Sequence, residues 1–230
     1  MRSRNKSILV ALVAVFALGV VGVSSAAAAL PEFVHGEGEA FPVSFESPRI
    51  SGAEELRLET HLLGTFLECG DVKISGQITG AKAASITASL GECGEWGLGC
   101  ETAKAKAGNV TLTGTGALSY VSKSSKTVGI VLNVPETKAL CGPEHEHVLI
   151  IKGTVILPVT PVNTKTTAYR STIHQTSPGT QEITQYENEK GETVKAKLTA
   201  SAEGSLFYEA SLNIEHFVEL TMAKAITISA

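Results

Sequence analysis

Aspartate is almost missing from this chain: Asp71 stands alone against 22 glutamates. A calcium loop of the EF-hand type needs several Asp or Asn at fixed offsets, so that site is excluded. Mechanisms built on a pair of aspartates are excluded with it. Aromatic residues make up 5% of the chain, and tryptophan occurs once, at Trp96. The 230 residues contain no Gly-x-Ser-x-Gly elbow, no His-Glu-x-x-His pattern, no phosphate-cradling glycine loop and no Cys-x-x-Cys pair. The commonest nucleophile, zinc-protease, nucleotide and thiol-redox signatures are therefore absent. No block of Lys or Arg occurs either, and the formal net charge is −4, which argues against a nucleic-acid partner.

What is present begins at the N-terminus. Arg2, Arg4 and Lys6 precede an apolar run from Ile8 to Val23, and Ser24 to Ala29 are small. This is the layout of a secretory signal peptide over residues 1–29, with cleavage near Ala28 or Ala29. The run is 16 residues long, short of the roughly 20 that span a bilayer, which disfavours the competing reading as a membrane anchor. No later run is long enough to span, so a soluble chain, secreted or associated with the cell envelope, is expected after cleavage. Losing the three cations moves the net charge to −7.

Four cysteines, Cys69, Cys93, Cys100 and Cys141, are an even number in an exported chain and point to two disulfides. Of the three possible pairings, Cys93–Cys100 closing a glycine-rich loop, with Cys69–Cys141 tying distant strands, is the expected one. A four-thiolate zinc site is the rival reading.

The body of the chain reads as strands. His147–Asn163 is the most continuously apolar run outside the N-terminus, rich in Val and Ile, and reads as a strand buried on both faces and ended by Pro158 and Pro161. Phe41–Phe45 alternates and, with Pro42, suggests an edge strand. Residues 30–52 look mobile, and Leu56–Thr60 fits a strand or a helical turn equally well. Leu63–Cys69, Val72–Thr79 and Ser85–Leu90 are short strands broken at Gly70-Asp71 and at 80–82. Gly91–Cys100 reads as a loop. Val110–Val121 and Thr127–Val134 flank a polar connector at 122–126, and 187–192 is an acidic hairpin tip. From Leu206 to Met222 apolar and polar residues alternate with period two. About eleven strands and no helix make an all-β, single-domain antiparallel sandwich or barrel spanning residues 30–230.

Four features could carry chemistry. Along a strand His145 and His147 would share a face and offer two imidazoles to a metal, with His174 or His216 as a third ligand. The alternative for Glu144-His145-Glu146-His147 is a solvated loop after Gly142-Pro143. Trp96 could stack on a ligand from its cysteine-flanked loop, or fold back and cap the sheet. His216 falls on the apolar face and reads as a core histidine with satisfied nitrogens. Lys152, Lys165 and Arg170 form a weakly basic tract that could face the acidic 182–192 turn or an anionic polymer. No residue is singled out as catalytic and no cofactor is implied.

Gly76-Gln77-Ile78-Thr79-Gly80, the Cys93/Cys100 spacing, Val128–Leu132 and Gly153–Asn163 together resemble a group of exported β-rich proteins of soil actinobacteria with no assigned function. The likeness covers roughly residues 60 to 185 and rests on structural motifs. It implies export and one β domain, and brings no activity with it. The expected function is a non-catalytic binding or structural β-domain whose partner is an extracellular ligand or envelope component. The alternative is an extracellular hydrolase, metal-dependent or glutamate-dependent, using Glu144–His147.

Overall fold

The computed structural model describes residues 30–61, 64–214 and 216–230. The expected signal peptide, residues 1–29, lies outside them, as do Leu63 and Glu215. Among the described residues there is no helix. The strands in chain order are β1 (Glu32–His35), β2 (Val43–Glu46), β3 (Ile50–Thr60), β4 (Gly64–Ile78), β5 (Ala83–Glu95) and β6 (Leu98–Thr102). Next come β7 (Val110–Ser122), β8 (Thr127–Cys141), β9 (His147–Thr160), β10 (Thr166–Ser171), β11 (Gln175–Ser177) and β12 (Thr180–Gln181). The last five are β13 (Gln185–Glu187), β14 (Thr193–Lys195), β15 (Leu198–Ala202), β16 (Tyr208–Ile214) and β17 (Val218–Ser229).

All pairings are antiparallel, and together they close into a ring with eight positions. The long strands β4, β5, β8 and β9 each fill one position. The other four are shared end to end: β6 then β7 between β5 and β8, β15 and β10 beside β9, β16 and β17 next, and β3 and β2 returning to β4. The fold is thus a barrel and not a two-sheet sandwich. Closure removes most free sheet edges.

Alternation explains the closure. Val72, Ile74 and Ile78 on β4, Ala84, Ile86 and Leu90 on β5, and Leu118, Val128, Ile130, Val155 and Leu157 on the following strands are all buried. The intervening Lys73, Ser75, Gln77, Ser85, Thr87, Thr113 and Thr115 are not. Apolar side chains face the axis and hydroxyls and charges face outward, the reverse of a lipid-facing barrel. Small residues make room for large ones: a Cβ on Gly76 would lie 2.6 Å from the Phe45 ring. The axis is filled. The void between Leu56, Ile74, Leu112, Leu132 and Ile214 is about 40 Å³, whereas ligand pockets run to roughly 300–1,000 Å³.

Several expectations need correction. Within residues 30–52, β1 pairs β17 and β2 pairs both β17 and β4, so these stretches are held in the sheet and β2 is no edge strand. Leu56–Thr60 is strand. Gly70-Asp71 does not break β4, because both neighbours hold it: Asp71 lies opposite Ser51 and Gly91. Among the described residues seventeen strands replace eleven, mainly because ring positions are divided. Pro158 lies inside β9, in the interval between the residues paired with β15 and those paired with β10, where no neighbour asks for its missing donor. The hairpin tips at 122–126 and 188–192 stand where expected. The segment between β10 and β15 leaves the barrel, and its β11–β12 hairpin docks on β16 through Gln181, which bonds Leu212 at both N and O.

Four connections, β3–β4, β5–β6, β8–β9 and β15–β16, each join neighbours in the ring with the same sense. They therefore cluster at one end of the barrel, and the candidate residues gather there.

Candidate functional site

The four cysteines lie in one row across β4, β5, β6 and β8. Cys69 faces Cys93 and Cys100 faces Cys141 in register. The disulfides are Cys69–Cys93 and Cys100–Cys141, each with a Cα–Cα separation of 4.0 Å. The expected pairing is wrong. Residues 91–95 and 98–102 are strands, so Cys93 and Cys100 fall side by side in this row, and joining them would strand Cys69 and Cys141 three strand spacings apart. At about 4.8 Å per spacing that is roughly 14 Å, beyond disulfide reach. Both bridges are buried.

Between the bridges the supposed loop is a tight hairpin. Glu95 pairs Leu98, and the turn is Trp96-Gly97 with φ of 48° and 83°. Two successive positive φ values mark a type I′ turn, where Asn-Gly or Gly-Gly is usual and a bulky first residue is strained. Trp96 does not fold back on the sheet: it is 70% exposed. A cleft of about 380 Å³ opens beside it, bordered by Phe66, Glu68, Glu92, Gly94, Glu95 and Trp96. Glu92 is also held at positive φ, 52°. Arg57 Nε lies 3.5 Å from Glu68 Oε1 across the β3–β4 ladder.

Glu95 is the unexpected member. It is two residues from Cys93 and shares its inward parity, and it is only 4% exposed. Among the described residues its Oε2 has no hydrogen-bond partner. Burial pushes its carboxyl above the usual range, and the charge of His147 partly opposes that. The sequence signal that could have found it is that parity, which the loop reading of 91–100 concealed.

The Glu144–His147 cluster does not form the expected strand face. His145 sits in the β8–β9 turn at φ 56°, and only His147 enters β9. His145 Nε2 is 3.2 Å from Glu101 Oε1. Glu146 folds over Gly142, and its carboxylate accepts from its own backbone N–H and from the Glu144 N–H at 3.1 Å, which hold it below the usual range. Among the described residues no three His, Cys, Asp or Glu side chains converge to hold a metal. His216 is exposed in the β16–β17 connection and not in the core. Lys152 reaches Glu136 at 2.9 Å and the Phe207 ring at 4.0 Å, and Arg170 pairs with Glu219 and Phe217, so neither faces the acidic turn.

No family model matches the chain, and neither the curated proteins nor the solved structures contain a match to it.

Proposed function

We propose that this chain is an exported, non-catalytic binding domain that presents its hairpin end to a ligand outside the cell or in the envelope. One observation carries the reading. The single tryptophan is held on a strained two-residue turn, 70% exposed, with a disulfide rooting each leg of the hairpin. Exposure and strain both work against folding, so the placement serves contact with something else. Rigid roots limit the entropy lost when a ligand docks. The two disulfides are consistent with an oxidising compartment, and the likeness to exported actinobacterial proteins points the same way. A glutamate-dependent hydrolase is the second reading, and it now rests on Glu95 beside His147 and not on Glu144 or Glu146, which lie in the turn.

The test is capture on a glycan array and on cell-envelope fractions, comparing the wild-type chain with Trp96→Ala. Loss of at least about tenfold in capture, with an unchanged melting temperature, is expected. Equal capture by both proteins would remove the reading. Turnover of a captured glycan that stops in Glu95→Gln would favour the hydrolase.

A further inference from the structure

We infer that the four cysteines form a redox-sensitive switch: once either bridge is reduced, the two central sulfurs join, and the Trp96 hairpin passes from being tied to β4 and β8 to being tied to itself. This goes beyond the binding role and does not depend on what Trp96 contacts.

Register carries the inference. Cys69 faces Cys93 across β4 and β5, and Cys100 faces Cys141 across β6 and β8. The β5–β6 ladder pairs Glu95 with Leu98 and Gly94 with Gly99, so its next step sets Cys93 opposite Cys100. The four buried sulfurs therefore follow one another across four adjacent strands. Directly opposed residues of antiparallel strands have Cα atoms about 4.5–5.5 Å apart, inside the usual disulfide range. Cys93 and Cys100 thus each have two cysteines within bonding reach, and Cys69 and Cys141 have one. The pairs Cys69–Cys100 and Cys93–Cys141 span two strand spacings, roughly 10 Å, which no disulfide crosses.

The same arrangement suits exchange. A thiolate attacks one sulfur of a disulfide and expels the other. Attack is in line with the breaking bond, and the Cys100–Cys141 bridge runs across the strands, along the row in which Cys93 stands. A dithiol that reduces Cys69–Cys93 becomes a disulfide itself and leaves two thiols. Cys93 gives its proton to water, its thiolate bonds to Cys100, and the Cys100–Cys141 bond breaks with the electron pair leaving on Cys141. His147 stands opposite Cys141 in register, so the two side chains share a face, and an imidazolium there stabilises the departing thiolate and returns its proton. The product holds one bridge, Cys93–Cys100, and two thiols too far apart to join. Reduction of Cys100–Cys141 reaches the same product from the other end, with Cys69 as the leaving sulfur. Both bridges are buried, so the dithiol step is slow, whereas the internal step needs no access from solvent.

The test uses Cys69→Ser and Cys141→Ser, each purified oxidised, held at about pH 8, near the ordinary thiol range, then acid-quenched, alkylated and mapped without reduction. Both should yield a Cys93–Cys100 peptide, with the alkyl label on Cys141 in the first and on Cys69 in the second. Wild type treated with one equivalent of dithiothreitol should yield the same bridge with both outer cysteines labelled, and this arm decides the matter if a variant fails to fold. Labels confined to Cys93 in Cys69→Ser and to Cys100 in Cys141→Ser, or only the two original bridges in partly reduced wild type, would overturn the switch. So would Cys93–Cys141 or Cys69–Cys100 in amounts equal to Cys93–Cys100, the mark of scrambling in unfolded chains. Trp96 is the only tryptophan, so its time-resolved fluorescence anisotropy reads the hairpin alone. A faster anisotropy decay is expected in the exchanged form, and an unchanged decay would overturn the release of the hairpin from β4 and β8.

Discussion

Tyr169 is fully buried on β10, and its hydroxyl donates to the Ile226 carbonyl at 2.7 Å. Burial pushes its pKa from 10.0 to about 12. A folded-state pKa above the unfolded value contributes stability that is whole below about pH 10 and is lost as pH rises toward 12. The melting temperature should therefore fall across that window. Tyr169→Phe should fall less steeply there and should be less stable by about 1–2 kcal/mol at neutral pH, because the carbonyl loses its donor. Glu95 obeys the same sign rule at the acid end. Its raised pKa means that ionisation costs stability above the usual carboxylate range, so Glu95→Gln should melt higher than wild type at pH 7.5, with the difference shrinking toward pH 4. Gly153 is closed to a side chain on two counts. It sits at φ 124°, and a Cβ there would lie 2.1 Å from the Lys197 carbonyl. Gly153→Ala should cost at least about 2 kcal/mol in urea unfolding, since backbone meets backbone and nothing flexible can give way. These three sites were not legible as such in the sequence. Gly153 sits in a recognisable strand stretch, but what it and Tyr169 touch comes from β15 and β17, which lie far off along the chain.

At the scale of elements, the β5–β6 hairpin sets binding against stability. Trp96→Asn places a residue suited to positive φ in the turn and should stabilise the protein by up to about 1 kcal/mol while removing ligand capture. Thermal melts and the capture assay read the two effects separately. Both disulfides brace this hairpin, and peptide mapping without reduction should recover Cys69–Cys93 and Cys100–Cys141. Replacing Cys100 and Cys141 by Ser opens a loop with a sequence separation of 41, and chain entropy puts the loss at about 4 kcal/mol as an upper figure. Elements with strict alternation and polar tips were readable: β7–β8 with its 122–126 connector, β13–β14 with its acidic tip, and the C-terminal period-two stretch that became β16 and β17. Gly70-Asp71 and Gly91–Cys100 were misread for one reason. Glycine lowers local strand propensity, but a residue with hydrogen-bonded strands on both sides is held extended whatever its propensity.

For the whole molecule, closure of the ring has a functional consequence. With an axial void of only about 40 Å³, the barrel is a packed core and not a cup for a lipid or other apolar guest. The native protein should neither enhance ANS fluorescence nor retain fatty acid on gel filtration, and stoichiometric uptake of either would contradict the packing described. The proposed binding surface is the end where four connections meet, and there Trp96 and the exposed Leu206 stand on tips at opposite sides of the ring. The sequence by itself determined the all-β class, the single domain and the inward and outward faces of most strands, because period-two alternation is a local property that each strand carries alone. It also marked the four sulfurs and the lone indole. The tertiary structure decided that the sheet closes, which sulfurs join, that Trp96 points to water and that Glu95 is buried, with one oxygen lacking a hydrogen-bond partner among the described residues. Those facts depend on which distant strands become neighbours and in what register. A shift of one residue would turn every side chain to the opposite face.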